Sequence, residues 1–309
     1  MATKVLLIAD PGIDAAFAIA LALNDPDLEV VALAATAGHV PADQATRNCH
    51  IVIEQIDPVR WPRVGAALPI DYDRHALDLH GPDGLGGQDF PCVPLHNAVT
   101  SDRLILDMIR QHPDELSIVQ VGPATALARA FDRDPEVARL IPRLVIVGGT
   151  WQRDGDVTPC AEFHFWCDPL AARQVLRSGA PITLIPVDVT HKMVFSPNDL
   201  RHLGAVESRT AAFLRRVVPM LLAPTAGRYG IEGVYLPAAL GVALLTRPDA
   251  FTLKAVAADV ETRGDLTRGM TVFDTRWSST ARPNLDVVTD FEVQQLRSYI
   301  HHVLGESRN

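Results

Sequence analysis

The sequence VLLIADPGIDAAFA, residues 5–18, contains the two features that decide the fold. Residues 5–8 form a short and fully apolar run, which predicts a buried strand. Asp10-Pro11-Gly12 interrupts this run, and the alanine-rich residues 13–23 then predict a helix that stops near residue 25. A buried strand followed directly by a helix is the repeating unit of an α/β protein.

The same alternation continues beyond this opening. Strands are predicted at residues 28–35, 116–121, 144–147 and 182–186, and helices at residues 43–55, 124–131 and 169–178. Because these strands are apolar throughout, both faces of the sheet must be covered. The fold class is therefore predicted as α/β, with a mostly parallel, doubly wound sheet and flanking helices.

The second half of the chain adds a helical region to what is predicted as a single large domain, residues 1–309. Residues 196–222 and 238–245 are predicted as helices, and the region 196–247 is expected to lie over the pocket. Strand signals alternate from residue 255 onward, and a last helix is predicted at residues 291–304.

Composition excludes several classes of protein. The chain has 309 residues, of which 48% are apolar and 21% are charged, so it can bury a large core. A net charge of −9 without a Lys/Arg cluster disfavours nucleic-acid binding. The four cysteines are scattered, which is typical of reduced thiols in the cytoplasm. No apolar run reaches the roughly 20 residues of a membrane helix, and the N-terminal run is interpreted as a strand rather than a signal peptide.

Polar residues follow several of the predicted strands. In an open α/β sheet the ligand site lies outside the carboxyl ends of the strands, so these residues are site candidates. They are Asp10, Asp14, His39, Asp156, Glu162, His164, Asp188, Thr190 and His191.

Each candidate also has an ordinary structural explanation. Asp10 could form a turn before Pro-Gly, Asp14 could favour a helix N-terminus, and the histidines could be loop residues. Glu162 lies in the apolar segment AEFHFWCDP, where a carboxylate is costly unless it binds something. The occurrence of all these residues at strand ends favours a functional site.

The chain resembles the inosine–uridine nucleoside hydrolase family along nearly its whole length. The resemblance rests on motifs that occur in the expected order, namely DPGIDAA, TAGHV-PADQATRN, LHGPDGLGG, VGPATALARA, GDVTPCAEFHFWCDPLAA, PVDVTHK and LTRGMTVFD. It implies a single α/β domain that assembles as a homodimer or homotetramer. It also implies hydrolysis of the N-glycosidic bond of a small nucleoside-like ligand, with a tightly held Ca²⁺ that binds the ribose diol and the attacking water.

The resemblance assigns roles to individual positions. Asp10 matches a metal ligand and the general base, and the backbone carbonyl of Val121 matches a second metal ligand. Asp14 matches a ribose-contacting carboxylate, and Glu162 matches a residue that grips the 5′ end of the ribose. From its place near the late helix, Tyr229 is a candidate for the wall of the base pocket, and a core or surface position is equally compatible with the sequence.

Several pocket positions depart from the family pattern. Ile8 and Ala15 stand where the opening DTDPGIDDA pattern has aspartates, and Ala15 replaces a bidentate metal ligand. Pro237-Ala238 aligns with the HDP-type segment that supplies the leaving-group histidine and another metal-binding aspartate. Three asparagines of the family pattern are also replaced, by His39, Asp156 and His164. Because Ca²⁺ prefers six to eight oxygen ligands, we expect a degenerate calcium site.

Three hypotheses remain open at this point. In the first, the protein is a working N-glycosidase in which Asp10 is the base and His39 or His164 protonates the leaving group. In this hypothesis His39 and His164 also contact the substrate, and Asp14, Asp156 and Glu162 place negative charge around the sugar. In the second, the histidines and carboxylates hold a transition metal; in the simpler form of this idea, the histidines only fill the space of the metal. In the third, the protein is a catalytically silent homologue that binds a nucleoside or sugar or acts in regulation.

Overall fold

The computed structural model describes residues 2–71, 77–92, 99–152, 154–203 and 207–305. Nine of its strands form one sheet, and two short strands pair separately. The strands are β1 (Thr3–Ala9), β2 (Leu28–Ala35), β3 (Arg63–Gly65), β4 (Leu116–Val121), β5 (Arg143–Val147), β6 (Ile182–Ile185), β7 (Val194–Phe195), β8 (Val234–Tyr235), β9 (Phe251–Val260), β10 (Thr271–Asp274) and β11 (Leu285–Phe291).

The large sheet has the strand order β10-β9-β11-β6-β5-β4-β1-β2-β3. Every neighbouring pair from β3 to β11 is parallel, whereas β9 pairs antiparallel with both β11 and β10. The strand order reverses between β1 and β4, where Ala9 pairs with Val121. The prediction of a mostly parallel α/β sheet is therefore confirmed, and a ligand site is expected at the carboxyl ends of these two strands.

Helices cover both faces of the sheet. They are α1 (Ile13–Asn24), α2 (Ala42–Ile56), α3 (Leu77–His80), α4 (Ser101–Gln111), α5 (Thr125–Arg133), α6 (Phe163–Cys167), α7 (Pro169–Leu176), α8 (Val187–Thr190), α9 (Pro197–Leu203), α10 (Arg209–Val217), α11 (Leu222–Tyr229), α12 (Pro237–Thr246) and α13 (Val293–Gly305). Three 3₁₀ turns lie at Pro135–Leu140, Val218–Leu221 and Pro248–Ala250. No helix in the described ranges combines the length and apolar composition of a membrane-spanning segment.

The apolar run of β1 is explained by its position in the middle of the sheet. Leu7 lies in the core that contains α1, α2 and α12, and Leu6 and Ile8 lie in the core that contains α4, α5 and α7. Because successive side chains point to opposite faces, a strand covered on both sides is apolar at every position. Ile8 is fully buried in the second core.

Small residues bring α12 close to the sheet and to α1. Ala15, Ala16 and Ala18 of α1 are buried, as are Ala238 and Ala239 of α12. A Cβ on Gly241 would lie 2.7 Å from the Val147 side chain, so only glycine fits there without displacement. This packing brings the N-terminus of α12 to the carboxyl edge of the sheet.

Two predictions differ from the structure. The prediction of a helix over residues 196–222 is wrong. The described chain instead forms α9, α10 and a 3₁₀ turn, and residues 204–206 lie outside the described residues. Pro219 explains the second break, because proline lacks the N–H that a continuing α-helix needs. The strand predicted from residue 255 begins earlier, at Phe251.

Candidate functional site

A cavity that opens to solvent lies at the carboxyl edge of the sheet, beside the reversal between β1 and β4. Its walls come from segments that are far apart in the sequence. The predicted site residues that line it are Asp14, His39, Val121, Asp156, Glu162, His164, Thr190, His191 and Tyr229. Asp10 does not itself line the cavity, because His39 and His164 cover it.

Asp10 follows β1 directly and is 1% exposed. Its Oδ2 lies 2.7 Å from His39 Nδ1 and accepts a hydrogen bond from the His39 backbone N–H at 3.1 Å. The same oxygen lies 3.3 Å from His164 Nε2. A Cβ on Gly38 would come 2.1 Å from this oxygen, so the backbone can approach the carboxylate only because residue 38 is glycine.

Asp10 and His164 stabilise each other's charge. Burial by itself raises the pKa of Asp10, but the charges of His39 and His164 and their hydrogen bonds hold that pKa well below its usual range. Burial lowers the pKa of His164, but Glu162 and Asp10 outweigh it and raise this pKa to about 10. Near neutral pH Asp10 is therefore an anion and His164 a cation.

Glu162 begins the short helix α6. Its carboxylate accepts hydrogen bonds from the backbone N–H groups of His164 and Phe165 and from that of Gly149. Its Oε1 also lies 3.2 Å from His164 Nδ1. These contacts offset the cost of placing a carboxylate in an apolar segment, because hydrogen bonds use nearly all of its acceptor sites.

Two further carboxylates lie near this group. Asp14 in the first turn of α1 accepts a hydrogen bond from the Ala238 backbone N–H at 3.1 Å, and burial raises its pKa to about 7. Asp156 accepts one from the Phe163 backbone N–H at 2.8 Å. Burial and then the charge of Glu162 raise the pKa of Asp156 to about 6. A positive charge near these groups would favour their ionised forms.

His80 was not predicted as a site residue, although it lies in the quoted segment LHGPDGLGG. It is buried against the cavity, and its Nδ1 accepts a hydrogen bond from the Ile13 backbone N–H at 3.2 Å. Burial and then the charge of His39 hold its pKa well below 6.5. The position of this histidine before Gly-Pro in that segment is the sequence feature that could have identified it as a site residue.

Three rings form an aromatic cluster in another part of the same cavity wall, namely His191, Tyr229 and Tyr235. His191 stacks on Tyr235 with ring centroids 4.4 Å apart, and both rings contact Tyr229 edge-on. Tyr229 was predicted to line the pocket, whereas nothing in the sequence singled out Tyr235, which comes from the short strand β8.

The strand-end candidates Asp188 and Thr190 differ from each other in position. Asp188 accepts hydrogen bonds from the backbone N–H groups of Trp151 and Gln152, so it holds the loop after β5 and does not line the cavity. Thr190 lines the cavity, and its hydroxyl donates to the Val187 carbonyl. Asp188 therefore has the structural role that a strand-end carboxylate often has.

The donor set of this site does not fit Ca²⁺. Ala15 and Ala238 carry no side-chain oxygen, and the Oδ2 of Asp10 is already occupied by both histidines. That leaves the rest of the Asp10 carboxylate and the Val121 carbonyl, which is far from the six to eight oxygen ligands that Ca²⁺ prefers. The atoms of Asp10, His39 and His164 lie within 4.8 Å of one another and could hold a transition metal ion instead.

Comparison with known proteins gives a consistent result. The family model described as inosine-uridine preferring nucleoside hydrolase matches residues 5–298. The non-specific ribonucleoside hydrolase RihC of Escherichia coli is 33% identical over 310 residues, which is 99% of each chain. The pyrimidine-specific ribonucleoside hydrolase RihA of Citrobacter koseri is 33% identical over 95% of each chain.

Solved structures agree in fold. A plant nucleoside hydrolase superposes with a TM-score of 0.91 at 27% identity, covering 99% of this chain and 100% of the other. A purine-preferring ribonucleoside hydrolase from Gardnerella vaginalis superposes with a TM-score of 0.90 at 25% identity, covering 98% of each chain. Both matches extend over nearly the whole length of the chain.

Proposed function

This chain belongs to the inosine-uridine preferring nucleoside hydrolase family, and on that premise we propose that it hydrolyses the N-glycosidic bond of a ribonucleoside or modified nucleoside. The products are the free base and a pentose. The observation that carries the proposal is one cavity that joins a ring of carboxylates to an aromatic cluster. The resemblance noted in the sequence is confirmed, and the silent-homologue alternative is not favoured by relatives named as hydrolases.

The carboxylates are proposed to bind the pentose. Asp14, Asp156 and Glu162 all line the cavity, and hydroxyl groups are natural donors to them. As the glycosidic bond breaks, the sugar gains oxocarbenium character, and the nearby negative charge stabilises this cation more than the neutral substrate. The raised pKa values of Asp14 and Asp156 support this role, because a developing positive charge would favour ionisation of both groups.

We propose that Asp10 acts on water through His39. Asp10 is buried, its Oδ2 is 2.7 Å from His39 Nδ1, and His39 lines the cavity. With Nδ1 bonded to the carboxylate, Nε2 is the second proton site of the ring. His39 then takes the proton of the attacking water, while Asp10 orients the ring and stabilises the imidazolium, as in other carboxylate–histidine pairs.

His164 is proposed to organise the carboxylates around the sugar. Its ring nitrogens lie 3.3 Å from Asp10 and 3.2 Å from Glu162, so the imidazolium balances two buried negative charges. This cation therefore takes the place that a metal ion would otherwise have beside these carboxylates. We therefore propose that the reaction runs without Ca²⁺; a transition metal held by Asp10, His39 and His164 is the alternative that metal analysis decides.

We also propose a cover for the pocket, an oligomeric state and a location for the protein. The helical region 196–247 is proposed to cover the pocket, since Leu221, Thr225 and Tyr229 contribute to its wall. A homodimer or homotetramer is proposed from the family, and exposed Val272 and Trp277 near the edge strand β10 support an interface. A cytoplasmic location is proposed because all four cysteines are free thiols.

The direct test is release of reducing sugar from a panel of purine, pyrimidine and modified ribonucleosides, with the 2′-deoxy analogues alongside. We expect hydrolysis of at least one ribonucleoside and a slower reaction of its 2′-deoxy analogue, because the carboxylates bind the sugar hydroxyls. A wild-type protein that cleaves none of these compounds, with or without added divalent metal, would overturn the proposal.

A further inference from the structure

The cavity has two chemically different parts. The carboxylates Asp14, Asp156 and Glu162 supply one, and the aromatic cluster of His191, Tyr229 and Tyr235 supplies the other. Tyr235 is three residues before Ala238, whose backbone N–H donates to Asp14, so the two parts adjoin along this segment. On the proposed function, a nucleoside with its pentose at the carboxylates has its base at the aromatic cluster.

The leaving base needs a proton. When the bond from C1′ to the base nitrogen breaks, the electron pair goes to that nitrogen, and a purine or pyrimidine anion is a poor leaving group unless it is protonated. An imidazole is well suited to supply this proton near neutral pH. Burial raises the pKa of Tyr235 further above 10, which makes its hydroxyl a weaker donor than an imidazole.

Four histidines are among the described residues that line the cavity, and they differ in what they contact. His39 and His164 both contact Asp10. His80 uses Nδ1 to accept the Ile13 N–H, and its burial keeps the ring neutral. The fourth, His191, lies in the aromatic cluster itself.

His191 is held in place by the fold. It follows α8 directly, and its backbone N–H donates to the Val187 carbonyl. Its ring is stacked on Tyr235 with an interplanar angle of 27° and meets Tyr229 at 60°. Two aromatic neighbours therefore orient the imidazole at the place where a base would bind.

We propose that His191 is the general acid that protonates the leaving base. The imidazolium gives its proton to the base nitrogen as the bond to C1′ breaks, and water adds to C1′ while His39 takes the proton of that water. Solvent then returns a proton to His191 and removes one from His39. The sum is nucleoside plus water giving base plus pentose.

The test compares two classes of substrate in the full-length protein. Ribonucleosides need protonation of the leaving group, whereas 4-nitrophenyl β-D-riboside releases a stable phenolate without it. The variants are His191→Phe, which keeps an aromatic ring for stacking, and His191→Gln, which keeps a polar group. His202→Gln changes an exposed histidine of α9 and is the matched control.

We expect both His191 variants to lose about 10²–10⁴-fold in kcat on ribonucleosides and to keep most of their activity on the nitrophenyl riboside. The control should retain activity on both substrates. Equal losses on both substrates would mean that His191 only maintains the structure, and full activity of His191→Phe on ribonucleosides would mean that it only stacks; either result overturns the inference. Cleavage of the nitrophenyl riboside by the wild type separates failure of this inference from failure of the proposed function.

Discussion

The backbone N–H of Ala238 donates to the carboxylate of Asp14, at 3.1 Å from Oδ2 and 3.3 Å from Oδ1. The donor lies in the first turn of α12, where unpaired N–H groups and the helix dipole favour an anion. The main chain of position 238 thus supports the carboxylate of Asp14. This backbone contact holds the carboxylate that is proposed to face the sugar.

The burial of Asp14 leads to a prediction on the pH dependence of stability. The pKa of Asp14 is raised from 3.8 to about 7 by burial. Between these values the unfolded chain releases the proton while the folded chain keeps it, so ionisation costs stability as the pH rises through this window. Asp14→Asn removes that cost and should gain up to about 4 kcal/mol relative to wild type between pH 4 and pH 8.

Urea unfolding of both proteins at the two pH values measures this gain. Asp286→Asn changes an exposed carboxylate on β11 and should show no such pH-dependent difference. An Asp14→Asn variant whose stability relative to wild type is the same at both pH values would contradict the burial of an ionisable group at this site.

Because Asp10 and His39 are in contact, we expect them to act as one catalytic unit. Asp10→Asn and His39→Gln should each lower kcat by about 10²–10⁴-fold, because either change removes the base that takes the proton of water. The kcat of the double variant should be little lower than that of either single variant, because each single substitution already removes the function that the two groups perform together.

Steady-state kinetics on the best ribonucleoside measures all three variants. Asp188→Asn is the matched control, because Asp188 is also a buried strand-end carboxylate but binds loop N–H groups outside the cavity. Losses that multiply in the double variant would show that Asp10 and His39 act separately.

The donor set predicts that Ca²⁺ has no role in this protein. Protein purified without chelator should contain far less than one equivalent of calcium by elemental analysis. Excess CaCl₂ should not raise the melting temperature, because a ligand stabilises a fold only if the folded state binds it. One bound calcium per chain would show that Asp10 and the Val121 carbonyl are joined by oxygen ligands that the sequence alignment does not identify.

Substitution of Gly38 is expected to lower both activity and stability. A Cβ at this position would lie 2.1 Å from Asp10 Oδ2, so Gly38→Ala must displace either the loop or the carboxylate. Overpacking of this kind costs about 1–3 kcal/mol, and displacement of Asp10 should lower kcat as well.

Gly227→Ala provides the control, because a Cβ there meets nothing within 4 Å and the residue lies in α11. That variant should gain about 0.5–1 kcal/mol from the higher helix propensity of alanine. Urea unfolding distinguishes the two, and a Gly38→Ala protein as stable and active as wild type would mean that the loop adjusts freely.

Much of the fold could be predicted from the sequence because the pattern is local. The strands Leu28–Ala35 and Leu116–Val121 have the predicted bounds, since an apolar run flanked by polar or turn-forming residues marks both ends of a buried strand. The short strands β7 and β8 and the helix α6 were missed. Each is only two to five residues long, so its existence depends on partners from elsewhere in the chain.

The sequence by itself determined that polar residues follow the strands and that the opening carboxylates lie at the edge of the sheet. Only the tertiary structure decided that His39 and His164 meet on one oxygen of Asp10, and that Tyr235 stacks on His191. The physical reason is that these residues belong to loops separated by tens to more than a hundred positions. Their distances depend on the register of neighbouring strands and on helix packing, such as the approach of α12 at Gly241, and neither is encoded in any single segment.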